Sequence, residues 1–464
     1  MYLCSVKNIK TGRNNLLLLG YFCNFDLSTE KERMMNKTKR LFGCVFLLLA
    51  LLATSCSNKN VFDEDDYRDI VEREQPVDGI DESHTWTLTS TYYMTASIPE
   101  TAQDAERLLI LSGNPANGES AMVLGEYFVT ADEKKGEKKY FSFVASNLLL
   151  RFYAALVDTD GTYTIVAFSP STNRNISFLQ PLATKVEIAS RLIGRQTFSY
   201  CFEDEMPEPG DYDYNDVVLR ISQERTAVNQ ITLNVTLAAV GSLSQVAAAI
   251  RLTNINFEDV ESVKTSDGET FNDGYKKSSL PYIESEDLLI KGKNDAAVIN
   301  LFEDAHWATG AAHYASEGYI PRYKYNVSKT TSTEHDMMSP RTISYEITFK
   351  ESVDLDYFTL ERLDPFVILE YNGALMEVHA AYNLRLETVL HDYVQPTSAV
   401  ILPWALIIPS GSFRYPLDGV NIGFSKNEAL FGAYMTEGHA FGEWASSHEK
   451  ALDWYNYPTS NMVY

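Results

Sequence analysis

The sequence predicts a mainly β protein, with an N-terminal β-sandwich followed by a larger β-sandwich or jelly-roll-like domain and few short helices. Three observations point there. Aromatic residues make up 12% of the 464 residues, with 28 Tyr and 23 Phe, a composition suited to pleated, half-buried surfaces. Apolar residues alternate with polar ones: Ile231, Leu233, Val235 and Leu237 with Thr232, Asn234 and Thr236, and Ile343, Tyr345, Ile347 and Phe349 with Ser344, Glu346 and Thr348. Period two is the mark of a strand with one face in a core. Turn signals then separate the strands. Asn372-Gly373, between Phe366–Tyr371 and Ala374–Ala380, fits a type I′ hairpin, and Asp158-Thr159-Asp160-Gly161 closes another before Thr162–Phe168.

Taken in order, residues 1–34 read as an over-extended reading frame, with translation expected from Met34 or Met35. Residues 35–55 read as a signal peptide. Lys37, Lys39 and Arg40 precede an apolar run from Leu41 to Ala53, which ends in Ala53-Thr54-Ser55-Cys56. The 13-residue run is short for a membrane span, which needs about 20. Small residues before a cysteine resemble the lipobox of bacterial lipoproteins. That resemblance implies cleavage before Cys56 and a lipid on its thiol, although Ala53 stands where a lipobox usually carries Leu. Cys4, Cys23 and Cys44 lie upstream, so only Cys56 and Cys201 remain. One leftover thiol makes no internal disulfide, and Cys201 is expected as an inert core residue.

Residues 56–82 carry Asp63-Glu64-Asp65-Asp66, Asp69, Glu72, Glu74, Asp78 and Asp81, the composition of a solvated tether. Acidic residues behind a lipidated cysteine resemble the surface-export signal of Bacteroidetes lipoproteins. A first β-sandwich is expected over 83–198 and a larger β-rich domain over 199–464. Strands are expected at Leu88–Thr95, Lys139–Val144 and Leu148–Val157, and short helices at Ser242–Ala249, Leu360–Leu363 and Glu443–Tyr455.

The densest polar constellation runs from Phe202 to Val218. Asp211, Asp213 and Asn215 alternate along it, with Glu203, Asp204 and Asp216 at hand to complete a shell. Ca²⁺ takes six to eight oxygen ligands from groups of this kind, and a cation would relieve the self-repulsion of so many acids. Asp-x-Asp-x-Asn is similar to the opening of an EF-hand loop, but Asp216 replaces the required Gly, Ser222 the closing Glu, and no flanking helices are expected. The EF-hand is excluded. A β-turn held by Asx hydrogen bonds, with no ion, is the alternative.

The same residues carry a second resemblance. Phe202-Glu203-Asp204 followed by Gly210-Asp211-Tyr212-Asp213-Tyr214-Asn215-Asp216-Val217-Val218 resembles the signature of the LruC-domain lipoproteins of Bacteroidetes and spirochaetes. Further matching stretches are Val298–Asp304, Leu363-Asp364-Pro365-Phe366, Pro403-Trp404-Ala405-Leu406, Phe413–Gly419, and the tryptophans Trp444 and Trp454. The resemblance covers roughly residues 80–464. It implies a β-rich extracellular protein and no established activity. The second Phe-Glu-Asp, at Phe302-Glu303-Asp304, reads as a solvated loop, or as a partner to the first around a shared ion.

Charge limits the partners. The net charge is -24, and removing residues 1–55 takes eight basic and three acidic residues with it, leaving about −29. A phosphate backbone would be repelled, so nucleic acid is excluded. His-Glu-x-x-His, Gly-x-Ser-x-Gly, Cys-x-x-Cys and phosphate-cradling Gly-rich loops are all lacking, and the eight histidines are scattered, so no enzyme is expected. Trp307, Trp404, Trp444, Trp454, Tyr455 and Tyr457 are the candidates for a sugar-binding surface. Trp404 lies in an apolar run, however, and Trp444 and Trp454 would fall on different faces of one helix. The expectation is a lipid-anchored outer-membrane protein, non-enzymatic, structural or adhesive, with a Ca²⁺-stabilised acidic loop and an unknown protein or glycan partner. A glycan-binding lipoprotein of a polysaccharide-uptake system, a hydrolase and an oligomerising surface subunit are the alternatives.

Overall fold

Where the sequence alternates, the chain forms strands. The computed structural model describes residues 77, 79–178, 192–207, 210–276, 281–310, 322–328, 337–381, 387–392, 402–423 and 432–464. In chain order the first strands are β1 (Thr89–Ser97), β2 (Ala105–Leu111), β3 (Ala121–Phe128), β4 (Lys138–Ser146), β5 (Phe152–Asp158), β6 (Tyr163–Phe168), β7 (Asn175–Ser177) and β8 (Leu192–Arg195). They build a sheet ordered β4-β1-β7 and another ordered β6-β5-β2-β3-β8. Then follow β9 (Thr197–Phe202), β10 (Val217–Ala227), β11 (Gln230–Ala239), β12 (Ala247–Asn256), β13 (Val260–Thr265) and β14 (Leu289–Lys291). The last are β15 (Ala296–Phe302), β16 (Arg341–Phe349), β17 (Leu363–Tyr371), β18 (Ala374–His379) and β19 (Ala405–Ile408). These form a six-stranded sheet, β13-β16-β11-β10-β9-β19, and a five-stranded sheet, β14-β15-β12-β17-β18. Two short α-helices, α1 (Ala305–Ala308) and α2 (Phe441–Ser446), complete the described regular structure with a few 3-10 turns.

The mainly β expectation holds, but the clear sandwich or jelly roll does not: the four sheets are set as a propeller-like ring of four. Burial supplies the reason. A sandwich leaves its outer faces to water, whereas here part of each of the two larger sheets is covered on both faces. Ile231, Leu233, Val235, Ile343 and Tyr345 share one core with Ile250, Ile299, Val367 and Leu369 of the five-stranded sheet. The opposite face of the six-stranded sheet buries Cys201, Val218, Ala238 and Leu406 under C-terminal residues. That of the five-stranded sheet buries Ala247, Ala249, Val298 and Phe366. In the first two sheets Met94, Phe141 and Phe143 pack against Leu108, Ile110 and Phe152.

Two expected helices are corrected. Ser242–Ala249 leads into β12, because Ala247 and Ala249 fill one core and Ala248 and Ile250 another; burial of both faces overrides the helix propensity of alanine. Glu443–Tyr455 is interrupted: α2 stops at Ser446, and a 3-10 turn follows at Trp454–Asn456. The break lets Trp444 and Trp454 meet, with ring centroids 5.7 Å apart, inside the core. Leu360–Arg362 is a single 3-10 turn. The Asn372-Gly373 hairpin forms as expected, with both residues at positive φ.

The same C-terminal core takes in Val77, Trp86 and Leu88. Asp81 N–H donates to the Ala445 carbonyl at 2.9 Å. His84 Nε2 donates to the Trp444 carbonyl at 3.0 Å while Nδ1 accepts from Trp86 N–H at 2.9 Å; these two partners fix one neutral tautomer. Every described residue belongs to one unit, Arg68–Tyr464. Cys56, the signal segment and the tether up to residue 76 lie outside the described residues. No described helix is long and apolar enough to cross a membrane.

Candidate metal centre

The loop from Glu203 to Asp216 joins β9 to β10, whose register pairs Phe202 with Val217. It therefore leaves and re-enters the sheet at one point. Tyr212 and Tyr214 adopt left-handed backbone, φ 55° and 51°, a conformation rare for bulky residues and concentrated at functional sites. Both rings are buried, and the Tyr214 hydroxyl donates to the Pro403 carbonyl at 2.8 Å. Their N–H groups both turn to the Glu203 carboxylate, at 3.1 and 2.5 Å. Asp216 accepts from Asp204 N–H at 2.8 Å, and Asp213 from Asn215 N–H at 3.0 Å and Gly419 N–H at 2.8 Å. Ser242 Oγ donates to Asp204.

This folding draws the acids together. Carboxylate oxygens of Glu203, Asp213 and Asp216 lie within 4.8 Å of one another, as do those of Glu203, Glu205 and Asp211, and those of Asp204, Glu205 and Asp216. All five acids expected as ligands are in these groups. Glu205 joins them although its position in the run gave no sign of it, since the turn that brings it back is invisible in linear spacing. Asn215 is 1% exposed; its Nδ2 donates to the Pro416 carbonyl at 3.1 Å, and its buried Oδ1 has no hydrogen-bond donor. A Cβ on Gly241 would stand 1.9 Å from that oxygen, and a Cβ on Gly210 would stand 2.2 Å from Glu203 Oε2 and 2.8 Å from Glu205 Oε2. Glycine is the residue that both close approaches admit.

Burial and mutual repulsion push these groups toward the protonated form. Burial, then Asp213 and Asp211, raises Glu203 well above its ordinary range; burial and Asp211 do so for Asp213, and burial and Asp204 for Asp216. Glu205 is raised to about 8, again by burial first and Asp204 second. Asp211 is raised by burial, against the pull of Lys324, which is itself paired with Asp418 at 2.5 Å. Two like charges 4 Å apart repel by about 4 kcal/mol at an effective dielectric of 20. The donors are all hard oxygens, which fit Ca²⁺ and give no purchase to a metal that wants imidazole or thiolate. The residues fit a divalent cation.

The other expected positions fall elsewhere. Glu303 and Asp304 are buried, not solvated. Glu303 accepts from the N–H groups of Tyr282 and Ile283, and Asp304 pairs with Arg322 at 2.7 Å and caps α1. Their carboxylates have backbone and guanidinium donors, so no ion is needed. The two Phe-Glu-Asp segments are joined through Ser242, whose carbonyl contacts His306 Nε2 at 3.0 Å. Trp404, Trp444, Trp454 and Tyr455 are core residues, and Trp307 is partly buried with Nε1–H donating to the Asp273 carbonyl. Tyr457 is 40% exposed. Cys201 is buried, and burial pushes its thiol up. A buried triad that sequence reading passed over has His379 between Asp364 at 2.7 Å and Glu377 at 2.9 Å. The signal for it was present, since the Asn-Gly turn sets Phe366 opposite His379.

Residues 226–455 match a family model described as a domain of unknown function, DUF4842. The match begins after the acidic loop and does not carry the LruC designation that the motifs suggested. No curated protein matches the chain. Among solved structures, one of a Bacteroides ovatus protein, classed provisionally as a lipoprotein, is similar over 68% of this chain and 90% of that chain, with 15% identity and a TM-score of 0.38.

Proposed function

We propose that the mature chain is a lipid-anchored lipoprotein of the outer membrane, non-enzymatic and structural or adhesive, whose β9–β10 loop is held by Ca²⁺. The observation that carries the cation reading is that six carboxylates of one loop fall into three overlapping close groups, on a loop that also carries the buried Asn215 Oδ1 with no hydrogen-bond donor. Ca²⁺ at 2.3–2.6 Å from several of these oxygens would replace repulsion with coordination. With the millimolar affinity of extracellular modules, ambient Ca²⁺ adds about 1–2 kcal/mol. The anchor rests on the order of charge, apolar run and small residues before Cys56.

Thermal melting of the full chain in Ca²⁺ and in chelator tests the first part. Wild type is expected to melt lower in chelator, and the Asp211→Ala/Asp213→Ala double variant is expected to lose that difference. An identical wild-type melting temperature in both buffers contradicts the cation. Labelled fatty acid tests the second part: it is expected on wild type and absent from Cys56→Ser. Equal labelling of both sinks the anchor assignment.

A further inference from the structure

The outward face of β1 carries Thr89, Thr91, Tyr93 and Thr95, a row of hydroxyls and one phenol with no charge among them. Tyr93 is 61% exposed, and Tyr140 on the paired strand β4 is 57% exposed. The register sets Tyr140 opposite Thr95, diagonal to Tyr93, within side-chain reach across a sheet. Tyr357 joins them, its ring centroid 6.4 Å from that of Tyr93. Glu361 lies beside the row, accepting from the hydroxyls of Thr89, at 2.9 Å, and Thr91. A cavity of about 600 Å³ opens at the Thr89–Thr91–Glu361 end, and one of about 390 Å³ at the Tyr357 end. Thr89, Thr91 and Glu361 line the first cavity and Tyr357, beside Tyr93, lines the second.

From this face we infer a binding surface for an uncharged polysaccharide. Single exposed rings are ordinary surface, but rings set side by side, as Tyr93 and Tyr357 are with Tyr140 across the strand pair, make a contiguous patch of the kind that marks an interaction site. Phenol rings offer an apolar face for the C–H side of a pyranose with a polar tip for its hydroxyls, and the threonine hydroxyls and Glu361 supply further donors and acceptors. Charge selects among polymers. On a chain of net charge -24 an anionic polymer is repelled, and Glu361 and Asp354 at the two cavities add to that repulsion, while a row of hydroxyls and rings offers an uncharged chain its contacts. None of this depends on the cation reading, because the face lies on β1 and β4 and shares no residue with the acidic loop.

Affinity electrophoresis of the full chain through gels containing starch, xylan, mannan or mixed-linkage β-glucan, with alginate as the anionic control, tests the surface. Retardation is expected in at least one neutral polymer and not in alginate. Tyr93→Ala and Tyr140→Ala are each expected to weaken it about tenfold, with the melting temperature unchanged because both rings are exposed. Tyr93→Phe is expected to retain it, since the ring and not the hydroxyl does the stacking. Migration unaffected by all four neutral polymers overturns the proposal, as does full retardation of both alanine variants. Self-association that Tyr93→Ala abolishes, seen by light scattering without any polysaccharide retardation, would assign the face to a second copy and overturn it too.

Discussion

His379 is a single residue whose surroundings fix its charge. Burial alone would lower its pKa, but Asp364 and Glu377 outweigh it and raise it to about 9. Glu377 is pulled the other way: burial would raise it, yet His379 and the N–H groups of His391 and Val389 hold it low. A histidine raised above its unfolded value near 6.5 contributes stability that is complete below that pH and lost as pH rises through about 9. The denaturation midpoint of wild type is therefore expected to fall between about pH 7 and 9.5, and urea titrations should find that fall missing in His379→Gln. His379→Ala, which strands two buried carboxylates, is expected to cost about 3–5 kcal/mol. At the acidic loop, Gly241→Ala drives a Cβ into Asn215 Oδ1. A loss of about 1–3 kcal/mol is expected, with weaker Ca²⁺ protection in the same melting scan.

At the scale of elements, the hairpin β17–β18 shows what local sequence determines. Asn372 and Gly373 at φ 52° and 83° make the type I′ turn that their pairing predicts, and Gly373→Ala is expected to cost about 1 kcal/mol in chemical denaturation. Strands β11 and β16 were equally legible, because along most of their length one buried face imposes alternation, and β1 was legible by its threonine- and aromatic-rich composition. β12 was not, since burial on both faces erases the period and leaves an alanine run that reads as helix. The acidic loop was legible as a set of ligands and illegible as a shape. The left-handed Tyr212 and Tyr214, which turn two N–H groups onto Glu203, follow from anchoring of their rings in the core, and linear spacing holds no record of that. Of the aromatic residues weighed for a sugar-binding surface, Trp404, Trp444, Trp454 and Tyr455 are core residues, while Tyr457 is 40% exposed. Packing draws the tryptophans near the C-terminus into the core, and linear spacing holds no record of that either.

Over the whole molecule, the first described residues and the last close onto one another. Val77, Trp86 and Leu88 share a core with Trp444 and Trp454, so the segment leading from the tether is part of the fold and not only a spacer. Trp86→Ala is expected to destabilise the entire chain by about 3–5 kcal/mol, visible as one lowered transition in calorimetry. A separate low-temperature transition would instead show that this end melts independently. The acidity of the chain follows the same logic of scale: solvated acids keep the surface soluble, while the buried ones need partners. Glu303, Asp304 and Glu377 have them, in backbone N–H groups, Arg322 and His379. The acids around Glu203 also accept backbone N–H groups, from Tyr212, Tyr214, Asn215, Gly419 and Asp204, but six carboxylates crowd there, and among the described residues the cation acting on them is Lys324 at their edge.

That contrast is the central claim, and titration of Ca²⁺ into the chelator-stripped full chain by calorimetry tests it most directly. A saturable binding heat is predicted for wild type, abolished in Asp211→Ala/Asp213→Ala and unchanged in Glu361→Gln, which lies away from the loop. Absence of any binding heat in wild type, or the same isotherm in the double variant, would contradict it.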